Sequence, residues 1–307
     1  MIGRVIEIQE DGRYLSLYRG FLIVSAENKE IAKIPLDEIA VLMANAYQLT
    51  YSHALLMELN KRGIAFIACG SNHLPAAIFW PVDSHHRQAG VMNSQISVSQ
   101  PVCKQLWKQI IQAKINFQQE VLDKAGIQDK ALSEMAKRVK SGDPDNIEAQ
   151  AARRYWQSLF GKDFTRNSES AGINSFLNYG YAIIRSGVAR AIMAAGMHPT
   201  FGIFHRNRLN PMCLVDDIME PYRPIVDWHA YKFQQDDKKE LTPDIKRQLA
   251  LLLIEDCTFQ GNATPISVSM MRTAQTLAQC FEENTAKKLL LPEKLLSFPK
   301  QSLLELT

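Results

Sequence analysis

At 307 residues, with 46% hydrophobic and 22% charged side chains, the chain has enough apolar material for more than one core, and its composition is that of ordinary globular protein. A net charge of +3 excludes binding of nucleic acid through bulk basicity, so any such surface must come from local clustering. Five scattered cysteines, Cys69, Cys103, Cys213, Cys257 and Cys280, form no CxxC pair and exclude both a disulfide framework and a cysteine zinc cage. The opening stretch breaks into charge too soon for a signal peptide, and no apolar run reaches the eighteen or so residues of a membrane span. The expectation is a soluble, cytoplasmic protein.

Residues 1–80 read as a β-rich domain. Strand-like runs at Arg4–Ile8 and Arg13–Tyr18 flank Glu10-Asp11-Gly12, which predicts a tight hairpin. Phe21–Ser25 and Glu30–Ile34 flank Asn28-Lys29, a second hairpin signal. Ile39–Met43 is continuously apolar, as in a strand buried on both faces. Ser52 is positioned to cap a helix through Arg62, Gly63 ends it, and strands follow at IAFIAC and Ala76–Phe79. No catalytic constellation occurs here; packing, dimerisation and partner positioning are the expected work.

Residues 81–95 read as a linker carrying Pro81, His85, His86, Arg87 and Gly90. Adjacent histidines on an extended chain point opposite ways, which disfavours a shared metal; Arg87 is a candidate phosphate contact. Residues 96–290 then turn to helical periodicity, and 291–307, with Pro292 and Pro299, read as a tail. Val102, Leu106, Ile110, Ile111, Ile115, Val121 and Leu122 mark a long amphipathic helix. A second helix at Ala131–Lys140 sits among Lys130, Lys137, Arg138 and Lys140, a solvated face or a phosphate-contacting one.

The next helix begins SGDPDNIEAQAARRYWQSLF. Asp145 or Asn146 can cap it, and Asp145-x-x-Glu148 fits a capping box, which would make Glu148 a local structural carboxylate. Yet Glu148 also heads a stripe with Ala152, Tyr155 and Leu159, where a buried acid needs a cation. A polar loop with Lys162 and Arg166 leads to a helix at Asn174–Ala195, in which Tyr179 and Tyr181 are more simply core. Further helices are expected after Thr242-Pro243, at Val268–Glu283 and at Ala286–Leu290.

The densest chemistry lies in Gly196–Asp227, GMHPTFGIFHRNRLNPMCLVDDIMEPYRPIVD. Asp217 and Glu220 are three residues apart and share a helical face, preceded by His205. Imidazole with carboxylates suits Mg²⁺ or Mn²⁺. The spacing alone also fits an amphipathic helix with solvated acids.

The whole phrase is more specific. Gly196 with Pro199, Gly202 with His205, and LVDDIMEPYRPIVD, preceded in order by EAQAARRYWQSLF and LNYGYAII, resemble the CRISPR-associated spacer-acquisition integrase, in the form found beside single-protein RNA-guided effectors. The resemblance implies an α+β protein, an N-terminal β-sheet domain followed by a larger all-α catalytic domain. It implies Glu148, His205 and Glu220 as metal ligands and Asp217 as the acid beside them. It also implies transesterification, in which 3′-hydroxyls of foreign DNA join the CRISPR repeat. A homodimer, a small ferredoxin-like subunit, DNA and the RNA-guided effector are the implied partners. Glu220 stands where some members carry aspartate, and Asp216 where many carry an aromatic residue, so no role passes to Asp216. Lys162, Arg166, Arg206, Arg208 and Arg223, with Arg87, are candidate DNA contacts. The rival readings are a standalone metal-dependent nuclease on branched or single-stranded DNA, and a non-catalytic DNA-binding scaffold.

Overall fold

The computed structural model describes residues 4–70, 75–79, 87–167 and 172–295. The first part runs β1 (Arg4–Ile8), β2 (Arg13–Tyr18), β3 (Phe21–Ala26), β4 (Lys29–Pro35), β5 (Ile39–Ala44), β6 (Leu49–Tyr51), α1 (His53–Lys61), β7 (Ala65–Cys69) and β8 (Pro75–Phe79). These strands form two four-stranded sheets, ordered β1-β5-β7-β8 and β4-β3-β2-β6.

The expected hairpin at Glu10-Asp11-Gly12 does not form. β1 pairs in parallel with β5, β2 pairs with β3 and β6, and the turn carries the chain from one sheet to the other. Gly12, at φ +72°, donates its N–H to Gln48 O, and Asp11 accepts from Gln48 N. A local turn signal sets a reversal, but the apolar β5 decides which partner β1 takes. The hairpins that do form turn at Arg19-Gly20 (φ 47° and 83°) and at Glu27-Asn28 (φ 49° and 62°), one residue earlier than expected for the second. Positive φ at both central residues is the requirement of a type I′ turn.

β5 is buried along its whole length. Val41 and Met43 face a large core shared with the helices, whereas Leu42 and Ala44 face a smaller one closed by α1 and the second sheet. The sheet is therefore a shared wall, and the helical part packs directly on the strand-rich part. Ser52 caps α1 by accepting from Leu55 N, as expected.

Of the stretch read as a linker, residues 88–95 are helical, in α2 (Gln88–Ser97); His85 and His86 lie outside the described residues. There follow α3 (Gln100–Lys124), α4 (Ala131–Arg138), α5 (Ile147–Phe160), α6 (Ile173–Ala194), α7 (Cys213–Met219), α8 (Arg223–Gln235) and α9 (Pro243–Ala250). The chain closes with β9 (Asp256–Phe259), β10 (Asn262–Pro265), α10 (Ile266–Glu282) and β11 (Lys294–Leu295). The architecture is α+β as expected, but the helical part is not all-α: β10-β9-β11 is a three-stranded sheet turning at Gln260-Gly261. Its β11 ties the start of the expected tail to β9. Residues 286–290, expected to be helical, instead fold back on α10, where Thr276 Oγ1 accepts from Leu290 N.

α6, the buried axis of this half, touches α8 through Gly180. A Cβ there would lie 2.3 Å from Val226 Cγ1, so the bare backbone sets the helix spacing. Among the described residues, no helix is long and apolar enough to cross a membrane.

Candidate active site

The first turn of α5 presents Glu148. Asp143 accepts from Ile147 N and Glu148 N, both at 2.9 Å, and so caps the helix from outside the expected box. Asn146 sits in the left-handed region at φ 50° and offers no side-chain cap. The Glu148 carboxylate is thereby released from local work. It accepts instead from Lys114 Nζ of α3 at 2.7 Å.

The same ammonium lies 2.5 Å from Glu220 Oε2, and Arg223 Nε donates to Glu220 Oε1 at 2.7 Å. Glu220 opens the single 3-10 turn, Glu220–Tyr222, that joins α7 to α8, and Arg223 begins α8. The helix junction thus delivers acid and base to one point. Lys114 and Glu220 are both almost fully buried, 7% and 5% exposed, and a charge there survives only by pairing. Burial pushes the Glu220 carboxyl up, but Arg223 and Lys114 outweigh it and hold it down to about 2. Burial pulls the Lys114 ammonium down, and Glu220 and Glu148 more than reverse that.

His205 is fixed by Asp217, which is fully buried. Asp217 Oδ1 takes the Nδ1 side of the imidazole at 2.6 Å and the His205 backbone N–H at 3.2 Å. Asp217 Oδ2 accepts from Ile203 N at 2.6 Å and Phe204 N at 2.9 Å. One carboxylate therefore holds both the loop and the ring, and leaves Nε2 as the ring nitrogen that Asp217 does not engage. Burial raises the Asp217 carboxyl. The hydrogen bond to Asp217 raises His205 against its own burial. Gly202 makes the close approach possible: a Cβ there would stand 2.4 Å from His205 O and 2.8 Å from Asp217 Oδ2. Gly202→Ala should therefore displace the 203–205 backbone and cost about 1–3 kcal/mol. Thermal unfolding beside activity checks it, and a variant normal in both would refute the tight fit.

Residues outside the expected set complete the surroundings. Asp227 accepts from Tyr155 OH at 3.0 Å and Tyr181 OH at 2.5 Å, and burial pushes its carboxyl up to about 7. Tyr181 carries Arg223 over its ring at 4.7 Å and Arg166 at 5.3 Å. Asp216 is spent on Arg185, at 2.7 and 3.1 Å, and on Asn210. Lys114 is the member that sequence reading missed. Its signal was a lysine inside the apolar stripe Ile110, Ile111, Ile115 of α3, a position that needs a buried acid partner.

Two pockets meet at His205. One, about 360 Å³, is lined by Arg166, Asn178, Tyr181, Arg185, Glu220 and Arg223. The other, about 370 Å³, is lined by Gln95, Ile96, Thr200, Phe201, Arg206 and Arg208. His205 is the one residue lining both. Of the candidate DNA contacts, Arg166 and Arg223 thus line one pocket and Arg206 and Arg208 the other. Lys162 is exposed beyond α5 and lines neither, and Arg87 pairs with Glu282 of α10 at 2.7 Å.

Among the described residues, no three His, Cys, Asp or Glu side chains already converge as a metal cage. Glu148 and Glu220 converge instead on the Lys114 ammonium. The donor chemistry still fits a hard divalent cation. Two carboxylates already share one positive charge, and an oriented imidazole stands on the wall of the same pocket as Glu220.

The family model described as CRISPR associated protein Cas1 matches residues 6–253, from β1 through α9 and the whole site. The chain belongs to the Cas1 family. It is 37% identical over 298 residues to the CRISPR-associated endonuclease Cas1 of Neisseria meningitidis serogroup C (strain 8013), covering 95% of this chain and 97% of that protein. It is 29% identical over 268 residues to a CRISPR-associated endonuclease Cas1 of Francisella tularensis subsp. novicida (strain U112), covering 80% and 83%. Among solved structures it resembles a casposase bound to integration product, with TM-score 0.77, 17% identity and 92% of both chains covered. It also resembles a chain of a Cas6-RT-Cas1–Cas2 complex, with TM-score 0.74 and 17% identity, covering 94% of this chain and 36% of that one. At such identities the structural likenesses speak for the Cas1 fold alone.

Proposed function

We propose that this Cas1-family chain is a metal-dependent DNA integrase and endonuclease of CRISPR adaptation. The observation that carries the reading is the convergence of Glu148 and Glu220 on one buried positive charge, beside an imidazole locked by Asp217. Glu148, Glu220 and His205 Nε2 would hold Mg²⁺ or Mn²⁺, with Lys114 moving aside. A bound cation of this kind polarises a phosphoryl oxygen and lowers the pKa of an attacking hydroxyl.

The chain's own residues supply the rest. Asp217 keeps the proton on Nδ1, so Nε2 is the basic atom. Arg223 keeps Glu220 ionised at neutral pH. Arg166, held by Asn174 at 3.0 Å and Asn178 at 2.6 Å, has no carboxylate partner among the described residues and lies where a backbone phosphate can dock. The reaction is exchange at phosphorus: a DNA 3′-hydroxyl attacks a phosphodiester at the repeat boundary, and the displaced 3′-oxygen leaves with a proton. No protein nucleophile is needed. The partners in this reading are DNA, a second copy of the chain, and a small ferredoxin-like subunit. Support for the last comes from solved Cas1-fold chains whose own assemblies contain Cas2.

The test joins a short duplex with free 3′-hydroxyls to a repeat-bearing supercoiled plasmid, with Mn²⁺, Mg²⁺ or chelator, with and without the small subunit. Joined product is expected to fall at least about 100-fold in His205→Ala and to vanish in chelator. Cutting without joining, even with the subunit present, moves the assignment to a nuclease, because water and a DNA hydroxyl would use the same site. Full activity of Glu148→Ala, His205→Ala and Glu220→Ala would leave only the scaffold.

A further inference from the structure

The proposed cation and the Lys114 ammonium claim the same two carboxylates, so the lysine must go elsewhere when a cation enters. It cannot swing to an apolar wall, because a charge this deeply buried needs an acceptor. Its present seat is also incomplete. The ammonium donates to Glu148 Oε1 at 2.7 Å. It meets Glu220 Oε2 at 2.5 Å outside hydrogen-bond geometry, and among the described residues that buried oxygen has no hydrogen bond. Charge alone holds this half of the seat, and Glu220 keeps unused acceptor capacity.

A second unsatisfied group lies one turn further along α3. Gln118 is 2% exposed, and its Oε1 is buried with no hydrogen-bond partner among the described residues. A buried carbonyl left without a donor is costly, so this one calls for a donor that arrives in another state of the site. Residues four apart share a helix face, and helical side chains lean toward the N-terminus, which turns Gln118 back toward Lys114. Both line one pocket of about 150 Å³, together with Arg166, Tyr181, Arg223 and Asp227. Asp227 accepts one hydroxyl on each oxygen, from Tyr155 and from Tyr181, which leaves each oxygen a free lone pair. Arg166 and Arg223 repel an ammonium that enters this pocket, and the Asp227 carboxylate is the charge that offsets them. Burial raises the Asp227 carboxyl, and Lys114 is among the charges that already oppose this.

We infer that Gln118 and Asp227 form a dock for the displaced Lys114 ammonium, so that the lysine moves between two built seats as a cation enters and leaves. The inference rests on the metal-dependent reading above. Gln118 is then a positioning residue: it touches neither cation nor DNA, and it sets how readily Lys114 vacates Glu148 and Glu220.

Mn²⁺ would be titrated by calorimetry into the full-length protein, freed of metal and without DNA, as wild type, Gln118→Leu, Lys114→Met and the double variant. Gln118→Leu is expected to weaken Mn²⁺ binding about tenfold. Its melting temperature without metal should stay level or rise, since leucine removes an unsatisfied buried amide. In the Lys114→Met background, where nothing needs the dock, the same substitution should change affinity by less than about twofold. A crystal structure of the Mn²⁺-loaded wild type, which needs no variant, should place Lys114 Nζ within hydrogen-bond reach of Gln118 Oε1. Equal Mn²⁺ affinity in wild type and Gln118→Leu would overturn the dock and leave the cation site standing. So would a loaded crystal in which the ammonium stays between the carboxylates or turns to solvent. A tenfold loss that persists without the lysine would also overturn it, because Gln118 would then act on the site directly. Wild type that binds no Mn²⁺ would remove the metal-dependent reading, and the dock with it.

Discussion

Lys114→Met should lower the melting temperature of chelator-treated protein by about 5–8 °C, and Mn²⁺ should recover a larger share of it than in wild type. The ammonium is the shared partner of Glu148 at 2.7 Å and Glu220 at 2.5 Å, within a nearly buried cluster. Removing one member of a buried ion pair leaves uncompensated charge and costs roughly 3–5 kcal/mol. In a chain of this size each kcal/mol is worth about 1.5 °C. A divalent ion between the two carboxylates would replace the lost charge, so binding and folding become linked more strongly without the lysine. The acid limb gives an independent check. Burial opposes ionisation of Glu220, but Arg223 and Lys114 prevail and hold it down to about 2. A depressed carboxylate contributes stability above its ordinary range near 4.5, and that stability is lost as pH falls from there toward 2. Its size is on the order of 3 kcal/mol, and Lys114→Met should forfeit part of it, flattening the decline. Equal melting temperatures in chelator, or an unaltered acid limb, would show that the lysine does not hold the carboxylates.

The fold was legible wherever one residue's physics decides a local outcome. Ser52 and Thr242 cap their helices through hydrogen bonds to Leu55 N and Ile245 N, and the apolar stripe of α3 is buried. β5 reads as doubly buried and is. The readings that moved are those where a distant segment decides. Asp11-Gly12 signals a reversal, but β1 finds its partner in β5, more than thirty residues on. Asp145 and Asn146 were the near candidates to cap α5, but Asp143 reaches both N–H groups because the chain turns through the left-handed Asn146. Ala286–Leu290 carries helical periodicity, yet Thr273 and Thr276 of α10 take up the polar groups of Leu290 and hold it in a fold-back. Gln260-Gly261, at φ 50° and 72°, is a turn pair that a reading tuned to helices passes over.

The site divides the same way. Asp217, Glu220 and Arg223 lie within seven residues, so helical spacing brings them near one another, and the resemblance named the roles of Asp217 and Glu220 while Arg223 was read only as a candidate DNA contact. Lys114 and Tyr155 come from helices whose positions no local pattern reveals. Asp227 stands in the signature phrase, but its use is to seat Tyr155 and Tyr181, whose hydroxyls it accepts. The arginines show why type and proximity are poor guides to role. Arg223 is committed to Glu220 and Arg87 to Glu282, whereas Arg166, Arg206 and Arg208 pair with no carboxylate among the described residues.

Asp217→Asn should reduce metal-dependent joining by about two to four powers of ten while leaving the fold intact. The carboxylate takes two backbone N–H groups on Oδ2, and the His205 N–H and Nδ1 on Oδ1. An asparagine can keep its oxygen on Ile203 N and Phe204 N, which sets its NH₂ against His205. That donor requires an unprotonated Nδ1, so the imidazole proton moves to Nε2 and that atom can no longer be a ligand. Losing such an outer partner typically costs 10–100-fold in metal affinity, and a wrong tautomer about 10⁴ in rate in a well-studied catalytic triad. The pH profile separates this account from simple misfolding. The Asp217 hydrogen bond raises His205 above its usual value near 6.5, so the proton that a cation must displace persists to higher pH. Wild-type activity should therefore fall as pH drops through that raised value. In Asp217→Asn the raising partner is gone, so the acid limb should move to lower pH while the plateau is depressed. Metal affinity by calorimetry and rate against pH, with melting temperature as the folding control, measure all three. Wild-type rate with an unmoved acid limb in the variant would sink the assignment of Asp217 as the residue that orients His205.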